Sequence, residues 1–207
     1  FILNYMKRII IRFIENIELA KLVADTLEKL KLLAFFFALP ILIRLKIKKI
    51  ISFRVKLNGN SATVNIATDH SEFLVFKEIF LYEEYYIKLD NPKFIVDLGA
   101  NVGFSTIYFS LLYPNANIHS VEPDPDNFQR LLENTKNLSN IKNYPILISR
   151  ITGGISFFKN TKNISGSLLN REGTTEEIKV QGKNFDDFIY EIGISKIDLI
   201  KCDTEGA

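Results

Sequence analysis

Phe94-Ile95-Val96-Asp97-Leu98-Gly99-Ala100-Asn101-Val102-Gly103 is the stretch that decides the fold. Phe94–Leu98 reads as an apolar strand, and Phe104–Tyr113 reads as a short helix stopped before Pro114. Between them lies a glycine turn. Glycines there let the main chain approach a ligand closely, and the helix N-terminus adds N–H groups without intrahelical partners.

Downstream, the same strand–helix alternation continues. Ile118–Val121 is a second strand. It ends at Glu122, 25 residues after Asp97. Asp124-Pro125 then opens a helix with a capping residue and a first-turn proline, and Phe128, Leu131, Leu132 and Thr135 form its apolar face. Pro145–Ile148 is expected to be the third strand. Ile155–Phe158 and Ile178–Val180 read as antiparallel strands around a loop rich in Gly, Ser and Thr. Asn184 caps a helix that ends near Gly193, and Ile197–Lys201 is the next core strand. Strands joined by crossover helices imply an α/β fold with a doubly wound, mainly parallel sheet. Such sheets bind ligands at the carboxyl ends of their strands, near a topological switch point.

The residues at that end restrict the ligand. An acid at the position of Glu122 can take both hydroxyls of a ribose. A dinucleotide fingerprint spaces three glycines as G-x-G-x-x-G, but Asn101 replaces the middle one and no third glycine follows. Asp97 beside the turn would repel a pyrophosphate and attract a cation. S-adenosyl-L-methionine carries an ammonium, a sulfonium and a ribose, so charge favours it over NAD. An NAD-binding Rossmann oxidoreductase is the competing enzyme reading. A non-catalytic membrane- or partner-binding module on a degenerate fold is the competing non-enzyme reading.

These residues resemble the FkbM family of S-adenosylmethionine-dependent methyltransferases. The resemblance rests on Phe94–Gly103, Val121-Glu122-Pro123-Asp124-Pro125, Asn134, Val180 with Phe185-Asp186-Asp187-Phe188, and Ile197-Asp198-Leu199-Ile200-Lys201-Cys202-Asp203-Thr204-Glu205-Gly206. It covers about residues 53–207, including Val75–Phe80 and Tyr85 upstream of the core. It implies a seven-stranded, Rossmann-like class I fold and methyl transfer to an oxygen, often on a sugar, a glycan or a related natural product. It also implies that Asp97, Gly99, Ala100, Asn101 and Gly103 form the cofactor loop and that Glu122 is the ribose acid. Asp203 and Glu205 would be the acidic pair facing the transferred methyl group. No metal site is implied.

The chain of 207 residues is large enough for one domain and an appendage, and 47% hydrophobic content supports a packed core. One cysteine, Cys202, excludes an internal disulfide framework; with two distant histidines, His70 and His119, it also argues against a metal centre. Cys202 is expected to be buried packing. The chain opens on Phe1 and closes at Ala207 inside a motif, so a piece open at both ends is expected, with an open strand edge that favours self-association.

Residues 1–56 hold 12 Lys and Arg against 4 Asp and Glu, while residues 57–207 hold 14 against 20. The basic part reads as helical through residue 52, with an uncharged run from Leu32 to Ile43 broken by Pro40. Lys29, Lys31, Arg44, Lys46, Lys48 and Lys49 flank this run. At about 18 Å of helix it is too short to span a bilayer. Residues 29–49 fit either peripheral contact with an anionic membrane or, by a small preference, packing within the protein or against a partner. Nucleic acid is not expected as a partner, because the basic arm lacks interleaved exposed aromatics. A cytoplasmic protein, peripheral at the membrane, is the matching location.

Residues 53–92 form the link to the core at residues 93–207. Asn58-Gly59-Asn60 predicts a hairpin turn between strands Phe53–Leu57 and Ala62–Ile66, and Phe73–Tyr86 predicts a helix.

Overall fold

The structure is a computed structural model that describes residues 15, 17–19, 21–23, 25–68, 70–159, 166–167 and 176–204. The chain divides into two compact units, residues 1–86 and 87–207.

In the first unit, helix α1 spans Thr26–Arg44, and the Asp25 side chain caps it by accepting the Glu28 N–H at 3.0 Å. Pro40 lies inside α1 instead of breaking it. An interior proline costs a helix about 3 kcal/mol. Burial of Leu32, Phe35 and Leu39 on one face offsets that cost. Phe35 meets Phe53 at 5.5 Å and Phe73 at 5.8 Å between ring centroids, so the helical segment packs on the hairpin and on the helix that follows it.

Strands β1 (Ile50–Leu57) and β2 (Asn60–Ala67) form that hairpin, longer at both ends than the sequence predicts. Its two-residue turn puts Asn58 at φ 50° and Gly59 at φ 85°, the left-handed pair that a type I′ turn needs. Helix α2 (His70–Phe80) stops before the predicted end at Tyr86. The Leu81 and Tyr82 N–H groups both donate to the Lys77 carbonyl, and Glu83 turns left-handed at φ 52°. The Tyr82 hydroxyl and the Lys77 ammonium both reach the Glu15 carboxylate.

The second unit holds two sheets. Strands β3 (Phe94–Leu98), β4 (Asn117–Val121), β5 (Ile141–Tyr144) and β10 (Leu199–Cys202) pair in parallel in the order β10-β3-β4-β5. Helices α3 (Phe104–Leu112) and α4 (Pro125–Thr135) are the crossovers between the first three. Leu131 and Thr135 of α4 are buried as expected, while Leu132 is exposed. Helix α5 (Phe185–Ile192), capped by Asn184 and ended by left-handed Gly193, packs Phe188 on Val96, Leu98 and Val121. Side chains alternate along a strand, so Asp97 faces the other way. Ser105 and Thr106 of α3 hydrogen-bond to Asp97, which places α3 on the face opposite α5. The parallel sheet is therefore wound on both sides, a Rossmann-like α/β fold.

At the amino ends of the strands, the Lys93 and Phe94 N–H groups donate to Asp198 Oδ2 at 2.7 and 3.1 Å. The Lys93 N–H is the main cause, followed by a bond from Lys196, that holds this carboxyl at about 2.

The third strand differs from its prediction. Pro145 separates β5 from β6 (Ile146–Ile148), and only β5 joins the parallel sheet. Strand β6 pairs in parallel with β9 (Glu176–Lys183), which pairs antiparallel with β7 (Gly153–Lys159), and β7 carries the short β8 (Gly166–Ser167). Proline has no N–H to give to a ladder, so the chain changes sheets there.

Candidate active site

Strands β3 and β10 are neighbours in the sheet although about a hundred residues separate them. The chain moves from β3 to β4 and β5 on one side, and β10 lies on the other. Their carboxyl ends therefore flank the topological switch point.

The turn after β3 is built from left-handed residues: Gly99 at φ 73°, Asn101 at φ 52° and Gly103 at φ 96°. Gly99 has no room for a side chain, since a Cβ would sit 2.1 Å from the Asp203 main-chain oxygen. The Gly99 and Ala100 N–H groups both donate to the Val121 carbonyl at 3.0 Å, which ties the turn to the end of β4. Ala100 is buried, whereas Gly99 and Asn101 are partly exposed, and the N–H groups of all three are used inside the protein. Asn134 steadies the far side of the turn by donating to the Val102 carbonyl at 2.7 Å.

Glu122 sits at the end of β4 and is 5% exposed. Its Oε2 accepts the Asn101 N–H at 2.8 Å, and its Oε1 accepts the Asp124 N–H at 2.9 Å. Burial pushes its carboxyl up to about 7, although both N–H groups favour the ionised form. Each oxygen keeps a further lone pair for a hydroxyl donor.

Asp97 is placed differently from the expectation of a carboxylate offered to a cationic ligand. It is fully buried. Its Oδ2 accepts the Ser105 and Thr106 hydroxyls, each at 2.7 Å, and its Oδ1 lies 3.2 Å from Lys201 Nζ. Lys201 also donates to the Gly99 carbonyl at 2.8 Å. The Asp97 charge is answered inside the protein, so this residue fixes the turn in place. Lys201 is the part of this machinery that sequence reading missed. The available signal was a lysine in an apolar strand, and only the pairing of β10 with β3 sets it opposite Asp97.

Asp203 follows β10 and is exposed. Its N–H extends the ladder by donating to the Leu98 carbonyl at 3.1 Å. Glu205 lies outside the described residues. Cys202 is exposed rather than buried, because the face of β10 that carries Ile200 and Cys202 is open. Among the described residues, no group of three His, Cys, Asp or Glu is placed to hold a metal ion. The structure thus gathers Gly99, Asn101, Glu122 and Asp203 at the carboxyl ends of β3, β4 and β10, with Asp97 and Lys201 beneath the turn.

Residues 97–207 match the methyltransferase FkbM domain. The chain belongs to the FkbM methyltransferase family. Among relatives of this FkbM domain, Methyltransferase 1 of Beauveria bassiana is 26% identical over 156 residues, which cover 64% of this chain and 63% of that protein. The 2-O-methyltransferase NoeI of Sinorhizobium fredii is 30% identical over 129 residues, 55% of this chain and 53% of that protein. The chain therefore spans between about half and two thirds of the curated relatives it matches. A solved structure of M. jannaschii TYW2 in complex with AdoMet aligns at a TM-score of 0.31 and 19% identity, over 46% of this chain and 43% of that one.

Proposed function

We propose that this FkbM domain transfers a methyl group from S-adenosyl-L-methionine to a hydroxyl oxygen of a sugar, glycan or related small molecule. The observation that carries the proposal is the buried Glu122 carboxylate beside the partly exposed turn at Gly99 and Asn101, at the switch point of the matched domain. The donor set suits an adenosine-bearing ligand. Glu122 would take the ribose hydroxyls, and the Gly99–Asn101 turn, too tight for a side chain at Gly99, would receive the polar groups beside the ribose.

When bound, S-adenosylmethionine supplies an electrophilic methyl group. The protein's task is to hold the acceptor in line with it, an alignment worth roughly 7–11 kcal/mol in favourable cases. Asp203, exposed at the end of β10, is assigned to the acceptor: it accepts the hydroxyl hydrogen, orients the oxygen and takes the proton. Glu205 is the second acid of the same sequence motif and shares the assignment. Oxygen as the acceptor atom is supported by the relative named as a 2-O-methyltransferase.

Two experiments test this. Calorimetric titration of S-adenosylhomocysteine into the chain should show binding, and Glu122→Ala should weaken it about tenfold to a hundredfold, the worth of a charged hydrogen bond. Labelled methyl transfer to a panel of saccharides should be lost in Asp203→Ala while S-adenosylhomocysteine binding is retained. Binding of NADH in place of S-adenosylhomocysteine would overturn the proposal.

A further inference from the structure

Helix α1 is apolar on two opposite faces. Leu32, Phe35 and Leu39 are buried against the hairpin and α2. On the other side, Leu27 is 64% exposed, Leu30 59%, Phe37 76% and Ile41 60%, with Leu45 beyond the last turn at 62%. With exposed Ala34 between them, the positions from Leu27 to Ile41 are spaced by alternating threes and fours, so they form one continuous stripe about 21 Å long. A stripe of this size is not the scattered apolar exposure of an ordinary surface.

The charges around the stripe indicate what covers it. Residues 29–68 contain eight Lys and Arg and no Asp or Glu. At about 100° per residue, Lys31 and Arg44 fall on either side of the stripe, and Lys46, Lys48 and Lys49 follow its end, all exposed. The neighbouring acid, Glu28, is already paired with Lys31 at 2.7 Å. A second copy of the chain would bring this basic rim against itself, whereas an anionic lipid surface complements both the charge and the apolar stripe. No helix among the described residues is long and apolar enough to cross a membrane. An interfacial helix turns an apolar face to the lipid with basic residues near the headgroups. Because the opposite face of α1 packs on the hairpin and α2, the helix presents one such face, with basic residues at its ends.

We infer that α1 docks the chain on anionic lipid, inserting Leu27, Leu30, Phe37 and Ile41 while the basic residues at its ends bind the headgroups. This surface is independent of the methyl-transfer reading.

The chain contains no tryptophan, so Phe37→Trp introduces a single reporter on the stripe. The full chain should co-sediment with vesicles of equal parts phosphatidylcholine and phosphatidylglycerol and not with pure phosphatidylcholine, and the Phe37→Trp emission should shift to the blue on the mixed vesicles. Phe37→Asp with Ile41→Asp should lower the partition coefficient about a hundredfold, as should Lys46→Glu, Lys48→Glu and Lys49→Glu together. Circular dichroism confirms that each variant is folded. Three results would overturn the inference: an unmoved Phe37→Trp emission maximum, undiminished binding by the Phe37→Asp, Ile41→Asp variant, which would mark a purely electrostatic polyanion surface, or a dimer that only this variant abolishes and that vesicles do not dissociate.

Discussion

The carboxyl end of the parallel sheet and the outer face of α1 depart from ordinary burial in opposite senses. At the sheet, charge is inside: Asp97, Glu122 and Lys201 are all buried. On α1, apolar surface is outside. The buried charges are answered within the chain, by an ion pair, by hydroxyls and by main-chain N–H groups, so they hold a precise local shape. The exposed stripe fixes nothing in its own unit. Disturbing the first region should therefore change folding, and disturbing the second should leave folding intact.

The largest effect should come from splitting the buried pair. Lys201→Ala leaves the buried Asp97 carboxyl without its ion-pair partner. Urea unfolding should show a loss of about 3–5 kcal/mol. Restoring an uncharged pair, with Asp97→Asn and Lys201→Met together, should recover part of that loss. A loss below about 1 kcal/mol for Lys201→Ala would mean that the pair is solvated after all.

Glu122 gives the next effect, through pH. Its carboxyl lies at about 7 in the folded chain against an ordinary value of 4.5. The folded state therefore holds a proton that the unfolded state has lost across that window. Stability should fall as pH rises from 4.5 to 7, by about 3 kcal/mol in all, and the fall should disappear in Glu122→Gln. A slope that persists in the variant would assign it to another group.

Gly99→Ala should follow. It forces a side chain into a left-handed position 2.1 Å from the Asp203 carbonyl, and a loss of about 2–3 kcal/mol in chemical unfolding is expected. Because the clash is with the main chain just after β10, Asp203 should move, and ligand binding should fall with stability.

The smallest effect belongs to α1. Phe37→Ser should change unfolding by no more than about 0.5 kcal/mol, because the side chain has little burial to lose. A loss as large as that of Gly99→Ala would show that the stripe packs on the protein and would end the contrast between the regions.

Local signals were legible in the sequence, and long-range ones were not. Asn58-Gly59, Asp124-Pro125, Asn184 and Gly193 act through their own backbone angles and caps, and each stands where the sequence puts it. The strand–turn–helix from Phe94 and the acid at Glu122 belong to the same class. Pro40 reads as a break in the sequence yet lies inside α1, because tertiary packing of Phe35 and Leu39 overrides a local helix breaker. Pro145 reads as the start of a core strand yet divides two sheets, because the sheet that a strand joins is decided by partners elsewhere, here β9. The role of Asp97 was half legible: an acid beside a glycine turn is visible in sequence, but the lysine that answers it lies 104 residues away. Asp203 was placed by its motif, and its closeness to Gly99 emerged only from the pairing of β10 with β3.

The measurement that tests the central claim most directly is calorimetric titration of S-adenosylhomocysteine into the chain and into Glu122→Gln across the pH range around 7. If the ionised Glu122 carboxylate holds the ribose, affinity should rise with pH up to about 7 and level off above it, with binding at one pH unit below about tenfold weaker. Glu122→Gln should bind weakly and without that dependence. Equal affinity at every pH, unchanged by Glu122→Gln, would contradict the placement of the ligand at the ends of β3 and β4.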